Sequence, residues 1–501
     1  MRLSDLFGIS TVFRTPNKNI SSTIMRHAEI LIVLSLLIVS LAMRFYNLSF
    51  QSLWIDEGAT YYYSSFSFVE LLTSGEYSPP FFYVMQHWLL SLFGNSEWIM
   101  RVPSAIAGAL SVPVMYLLVN KLLSSRNAAL LAAFLLMFSQ FHMYSSQDAR
   151  PYAILVLFVL CEIYFYLDVL KKEDRRSWLL FVLFAWAALN FSYFAIIPTG
   201  VLFSHWLYEK RAAISEKRYR DLRPLIIYGS LFIIISSLLI YTALITIGNV
   251  LAAGTWLTGF DVVVDVFERF MYGPLFLSAV MSVFVFIGLW FCYKKDPGAF
   301  IPIILLIVAS LSFLVFLSFF MRAAPRYVIF SMPLYYVAIA CCLFAARSDA
   351  EQKKMLAAGL AVVTIMGSAL LCSYYTTPMN SDFRGVANVL YSETAPGDCV
   401  VYVPNFIDLS YGPLSFYYDN VSDHTDITGA DDPDQLDLIC EQYIGSNVFI
   451  ILCTRSAEGV PLYGAVFDWF DAYADTPARG SIEFLYIGPD VYLYKITPLL
   501  P

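Results

Sequence analysis

The chain has 501 residues, 59% of them hydrophobic and 14% charged, with a mean hydropathy of +0.65. Soluble domains carry about 25% charged residues, so this composition excludes a soluble globular protein and predicts a multi-pass α-helical membrane protein. A net charge of −8 does not point to nucleic acid as a partner, and none is expected.

Two rules order the chain. A spanning helix needs about 20 apolar residues, and loops rich in Lys and Arg stay cytoplasmic. Arg2, Arg14, Lys18 and Arg26 precede the first apolar run, so residues 1–27 read as a cytoplasmic segment. Helix 28–46 then reads as a retained anchor running outward. Next comes the stretch from Arg44 to Gly58, which sets Asp56 and Glu57 directly after Trp54 at a membrane–water boundary. Carboxylates are costly there. They read either as a site or as the start of a helix, with Asp56 as its cap and Glu57 in its first turn.

Residues 81–93 are apolar but short for a span. The next full run, 99–122, ends at Lys121, with Arg126 close behind. If those cations are cytoplasmic, 99–122 runs inward and the stretch from Pro79 to Phe93 does not cross. An interfacial or re-entrant helix is predicted there, inside a first outer loop of 47–98. Run 127–144 goes outward and 151–170 returns. Residues 177–208, flanked by basic loops, read as a tight hairpin turning near Asn190–Tyr193. Runs 225–247, 272–293, 299–320, 327–345 and 355–374 then alternate, for about eleven spans.

Past residue 380 the composition changes to many Asp, Gly and Pro with no long apolar run. Strand-like pieces occur at 399–403, 447–453, 482–487 and 491–496, with a hairpin turn at Gly488-Pro489-Asp490. Helix-like pieces lie at 382–394, 433–444 and 463–473. The domains expected are therefore the 1–27 segment, a transmembrane part (28–375) and a small α/β domain (376–501) on the extracytoplasmic side.

This topology gathers Asp56, Glu57, Glu76, Glu97, Arg101, Asp148, Arg150, Asp261, Asp265, Glu268, Arg269, Arg322 and Arg326 on one face, with Arg44 at the outer end of the first span. Outer arginines run against the usual bias, and Arg pairs well with phosphate. Each residue has a plainer reading. Asp148 could cap the helix that opens at Pro151, Arg150 could snorkel, Arg326 could anchor its helix, and Glu268-Arg269 could be a solvated pair. His87 and His142 lack metal-ligand spacing. Gathered on one face, acids and arginines suit a reaction between a lipid phosphate and a polar acceptor.

Ser52-Leu53-Trp54-Ile55-Asp56-Glu57, Ser78-Pro79-Pro80-Phe81-Phe82-Tyr83, Arg101-Val102-Pro103-Ser104-Ala105, Ser146-Gln147-Asp148-Ala149-Arg150-Pro151-Tyr152 and Arg326-Tyr327 occur in this order. Together they resemble the C-type-fold membrane glycosyltransferases related to protein O-mannosyltransferases and the lipid A aminoarabinose transferase. Family members commonly have His at the position of Ser78 and Glu at that of Asp148. The resemblance implies a sugar donor on a polyprenyl phosphate, an outer-face site built from the first two outer loops, and juxtamembrane helices in the first loop. The acceptor would be a protein, a lipid or a glycan.

On that basis Asp56 is the expected general base, with Glu57 or Asp148 orienting the acceptor or tuning the base. Arg150 and Arg326 would neutralise the leaving phosphate, with Arg44 and Arg101 as second choices and Tyr152 and Tyr327 beside them. No resident cofactor is expected; Mg²⁺ or Mn²⁺ held by the adjacent acids is the minority alternative. A flippase or transporter of lipid-linked sugars would instead show charge along its spans. A non-catalytic envelope assembly protein would leave Asp56 and Asp148 far apart.

Overall fold

The computed structural model describes residues 20–499, apart from 77, 253–257, 274, 322, 404–411, 419–425 and 454–461. Residues 1–19 of the expected N-terminal segment therefore lie outside the described residues.

The chain is mostly helical. It opens with α1 (Ile20–Phe45), α2 (Ile55–Ser64), α3 (Phe68–Thr73), α4 (Pro80–Phe93) and α5 (Glu97–Leu123). Next come α6 (Arg126–Phe138), α7 (Gln140–Ser146), α8 (Tyr152–Lys172), α9 (Arg175–Leu189) and α10 (Ile196–Glu209). Then follow α11 (Arg223–Ile235), α12 (Ser237–Ala252), α13 (Phe260–Phe270), α14 (Leu275–Lys295), α15 (Pro297–Ser318), α16 (Met332–Ala340) and α17 (Asp349–Thr376). Among the described residues, seven helical segments are long and apolar enough to cross a membrane, or nine if two bent pairs each count as one span. The bent pairs are α6–α7, turning by 60° at Ser139, and the 219–248 segment, turning by 58° at Ser236. Reaching the eleven expected spans requires counting α9 and α10 as well, whose 15 and 14 residues form the hairpin read at 177–208.

The helix read at 79–93 is α4. Its 14 residues span about 21 Å at 1.5 Å per residue, against about 30 Å of hydrocarbon. Pro80 starts it where a missing N–H costs nothing, and Gly94 ends it at φ +86°. α8 and the segment Pro325–Ala345 are the most enclosed candidate spans, at 78% and 83% buried, whereas α17 is 17% buried. Inner helices thus pack on protein and the outer ones offer side chains to lipid, which is no less apolar than they are. The acids near one end of the bundle are paired: Asp168 with Lys121 and Lys172 at 2.8 Å each, and Glu29 with Arg126 at 2.9 Å. Glu162, mid-helix and fully buried, meets Thr199 at 2.8 Å.

α13 buries Val262, Val266 and Phe270. Its Arg269 pairs with Asp265 at 3.0 Å, one helical turn away, rather than with the adjacent Glu268.

The C-terminal part adds α18 (Phe383–Glu393), β1 (Cys399–Val403), α19 (Pro413–Tyr418), β2 (Asp426–Gly429), α20 (Pro433–Gln442), β3 (Val448–Cys453), α21 (Leu462–Ala474), β4 (Gly480–Gly488) and β5 (Val491–Pro498). They form one mixed sheet in the order β2-β1-β3-β5-β4. β1 is parallel to β2 and β3; β5 is antiparallel to β3 and β4. β1 and β3 are buried along their whole length, as central strands covered on both faces must be. The short edge strand β2 and helix α19 had no expected counterpart in the sequence, because four to six residues carry too little periodicity to register.

Close helix packing depends on small residues. A Cβ at Gly288 of α14 would lie 1.8 Å from the Ala338 carbonyl oxygen of α16, so the two backbones touch there. Gly288→Ala is expected to lower the Tm of the detergent-solubilised protein by several degrees. Gly229→Ala, whose added carbon meets nothing within 4 Å, should leave it unchanged, and paired thermal melts check both.

Candidate active site

α2 starts right after Trp54, so its first turn carries both acids. Trp54 occupies the cap position, and Asp56 makes no cap bond. Consecutive helical residues diverge by about 100°, and the two carboxylates accordingly face different partners. Glu57 is fully buried and takes two bonds from Arg101, Nε to Oε1 and Nη2 to Oε2, at 2.7 Å each. Its Oε1 also accepts the Ala149 amide at 2.8 Å, and its Oε2 the Trp54 amide at 3.4 Å. Arg101 spends its remaining donors on the carbonyls of Leu48 (3.0 Å), Gln51 (2.9 Å) and Ser52 (3.3 Å). Glu57 and Arg101 thus saturate one another and curl the 48–52 loop around the guanidinium.

Asp56 faces the other way. Its Oδ2 lies 3.3 Å from Arg326 Nη2, and both side chains are about a quarter exposed (25% and 26%). The Arg326 guanidinium sits over the rings of Trp54 (5.4 Å), Tyr327 (5.8 Å) and Tyr152 (6.0 Å). Such faces attract a cation and leave its fork directed at Asp56. Tyr327 is held in turn by stacking on Phe194, with ring centroids 4.9 Å apart.

The second motif supplies the floor, residue by residue. Gln147 donates to the carbonyls of Arg44 (2.9 Å) and Tyr46 (2.8 Å), closing the end of α1. Asp148 accepts the Trp54 indole N–H at 2.9 Å. Arg150 donates to the Asp56 carbonyl (3.2 Å), to Thr60 (3.2 Å) and, more distantly, to Tyr83 and Ser78. Arg150 is buried and does not snorkel, and Asp148 does not cap α8, whose cap position is Pro151. Burial, and next the nearby Glu57 carboxylate, push the Asp148 carboxyl well above the usual range. Ser78, where the resemblance led one to expect His, accepts a bond from Arg150 at 3.4 Å.

Asp56, Trp54, Asp148, Arg150, Tyr152, Arg326 and Tyr327 therefore form one group, with Glu57 and Arg101 directly behind it. Arg44 lies apart. Fully buried on α1, it bonds Ser40 (2.8 Å) and His142 Nδ1 (3.0 Å). Because Arg only donates, that His nitrogen must accept. Trp54, Thr60 and Tyr83 are the contributors not named as site candidates from sequence; Trp54 and Tyr83 lay inside quoted motifs, whereas Thr60 carried no signal.

The residues do not suit the Mg²⁺ or Mn²⁺ alternative. The adjacent acids face different arginines, and among the described residues no group of three or more His, Cys, Asp or Glu side chains is placed to hold a metal ion. A cavity of about 380 Å³ opens at the far end of α2, lined by Tyr61, Tyr62, Ser64, His87, Asn95 and Ser415 among others. His87 is fixed there by donating from Nδ1 to the Ser64 carbonyl at 2.7 Å.

Comparison with known proteins concerns the fold and one stretch of sequence. Residues 77–241 match the family model described as dolichyl-phosphate-mannose-protein mannosyltransferase. The fold is that of ArnT from Cupriavidus metallidurans. Its apo crystal structure superposes with a TM-score of 0.62 at 14% identity, covering 93% of this chain and 98% of that one. The structure of the same protein bound to undecaprenyl phosphate gives 0.61 at 13%, covering 92% and 97%. An uncharacterized protein of Aquifex aeolicus is 26% identical over 200 residues, a match spanning 37% of this chain and 40% of that protein. The chain is a multi-pass membrane protein of the ArnT-like fold, with the mannosyltransferase pattern in residues 77–241.

Glu57→Gln is expected to destabilise the fold by about 3–5 kcal/mol, because it leaves Arg101 buried without its counter-charge; denaturation of the purified protein reads this. Asp148 behaves oppositely. With its folded pKa raised, the protein binds a proton on folding. The associated stability is present below about pH 3.9 and is lost as pH rises through the raised value. Asp148→Asn should abolish that slope in pH-dependent melts and be at least as stable as the native chain at pH 7.

Proposed function

We propose that this protein is a membrane glycosyltransferase that moves a hexosyl or pentosyl unit from a polyprenyl phosphate to a polar acceptor. The observation that carries the reading is the part-exposed Asp56–Arg326 pair, 3.3 Å apart and ringed by Trp54, Tyr152 and Tyr327. It supplies an anion and a cation on one accessible rim, which is what proton removal from a hydroxyl and charge relief on a phosphate require. The solved relative named with undecaprenyl phosphate supports a lipid-borne donor.

In this reading the reaction is an inverting displacement. The anomeric carbon–oxygen bond to phosphate breaks, and the phosphate leaves with the electron pair. The acceptor oxygen bonds to the anomeric carbon and gives its proton to Asp56. Arg326 neutralises the departing phosphate, so no acid is needed on that side. Arg150, buried beneath Asp56, holds the backbone and Thr60 in place and adds positive potential. When a phosphate takes Arg326, Asp56 loses its ionic partner and its carboxylate is released for the acceptor. Donor arrival would thereby switch on the base. Glu57 and Arg101 keep the frame. The cavity at the far end of α2, lined with hydroxyls, an amide and His87, suits a protein, lipid or glycan acceptor.

The basic loops support a cytoplasmic N-terminus, with the site and the sheet region of 376–501 on the outer side of the cell membrane. The Asp56–Asp148 proximity through Trp54 argues against a non-catalytic assembly role, and the paired acids near the span ends argue against a flippase.

The test is mass spectrometry of glycolipids and glycoproteins from cells lacking the chain, complemented with native protein or Asp56→Asn. Native protein should restore a glycosylated product. Asp56→Asn should lower turnover by about 10²–10⁴ while its Tm stays unchanged. Near-normal product from Asp56→Asn would reject the base assignment.

A further inference from the structure

Arg384, the second residue of α18, reaches out of the C-terminal sheet region onto the loop before α2. Its guanidinium meets Glu97 at 2.9, 2.6 and 2.5 Å and the carbonyls of Ser49 (2.8 Å) and Gln51 (3.1 Å). The Gln51 carbonyl is also bonded by Arg101 from the opposite side, at 2.9 Å. One short loop is therefore gripped by two arginines, one from α5 and one from α18.

Neighbouring contacts follow the same line. Asn380 Nδ2 donates to the Ser52 carbonyl at 2.8 Å, and the Gln51 side chain bonds Tyr374, Thr377 and Met379 backbone groups at 2.7–3.2 Å. The Tyr417 hydroxyl accepts the Leu53 amide at 2.8 Å and donates to Glu97. Ile55 packs against the apolar cluster of the sheet region that includes Phe383 and Leu414. Trp54, which touches both Asp148 and Arg326, and Asp56 come directly after this gripped segment.

We infer that Arg384 is a positioning residue for the transfer reaction, and that the C-terminal sheet region serves as the outer jaw of a clamp holding residues 48–54. This rests on the function proposed above for Asp56. The physical logic is entropic. A loop with no hydrogen-bonded ladder of its own samples many conformers, and a base displaced by about 1 Å can lose about 10²-fold in rate. Arg101 holds the loop from α5. The planar fork of Arg384 reaches Glu97 and two carbonyls together, which a lysine cannot.

The experiment uses the full-length detergent-solubilised chain. Hydrogen–deuterium exchange is followed by mass spectrometry in native protein, Arg384→Gln, Arg384→Lys and Tyr417→Phe. Arg384→Gln should speed exchange of amides in 48–54 by about 10- to 100-fold, from the loss of charge-assisted bonds. α8 and the central strands β1 and β3 should exchange as before. Arg384→Lys should fall between, and Tyr417→Phe should act mainly at Leu53, which keeps the test intact if Arg384→Gln folds poorly. In the complementation assay the variant's product should fall, while binding of undecaprenyl phosphate, which does not involve Arg384, stays within about twofold of native. Unchanged loop exchange would overturn the clamp, as would faster exchange with undiminished product. If the loop loosens but even native protein yields no glycosylated product, the proposed function fails while the clamp stands.

Discussion

A single buried ion pair sets the rest of this architecture. Glu57 and Arg101 sit with almost no solvent exposure, where isolated charges would each cost several kcal/mol. They are tolerable only because every donor and both carboxylate oxygens are used. That requirement brings four pieces of chain together: α2, α5, the 48–52 loop and the Ala149 amide. It also explains why two adjacent acids do different things. Once Glu57 is committed inward, helical geometry turns Asp56 toward the rim, where Arg326 meets it.

The Ser146-to-Tyr152 motif shows how a short loop can serve several masters. Its residues alternate between neighbours: Gln147 to the end of α1, Asp148 to Trp54, the Ala149 amide to Glu57, Arg150 to the start of α2, and Tyr152 to Arg326. Four of these contacts are made by side chains and one by the Ala149 backbone amide, so the motif reads as a bridge between α1, α2 and Arg326 rather than as a list of catalytic groups. The buried Asp148, bonded by the Trp54 indole N–H and with Glu57 nearby, is held toward its neutral form. In that form it remains an acceptor for Trp54 without adding a second anion beside Glu57.

The sheet region is tied to the helical part through polar contacts rather than apolar burial alone. Arg384, Asn380 and Tyr417 all land on residues 49–53, and Arg384 and Tyr417 also meet Glu97, the first residue of α5. A helix N-terminus favours an anion, so Glu97 is well placed to receive Arg384 and Tyr417 from outside. The same arrangement lets one part of the chain steady the loop of another without entering the site itself.

Composition and charge runs by themselves determined that the chain is a multi-pass helical protein, where most apolar segments begin and end, and that 79–93 is too short to cross. These are local properties: hydropathy over about 20 residues, and the bookkeeping of cations between runs. The strands of the C-terminal sheet were legible for the same reason, save the short β2. The candidate residues were legible as types, because acids and arginines are scarce in so apolar a chain. What only the tertiary structure decided was which acid meets which arginine. Glu57 and Arg101 are 44 positions apart, and Asp56 and Arg326 are 270 apart (326 − 56). Nothing in a linear pattern distinguishes a guanidinium spent on carbonyls from one presented at a rim. The resemblance ranked Arg326 ahead of Arg44, but only packing put one among helices and the other over three rings, since partner choice depends on burial and direction.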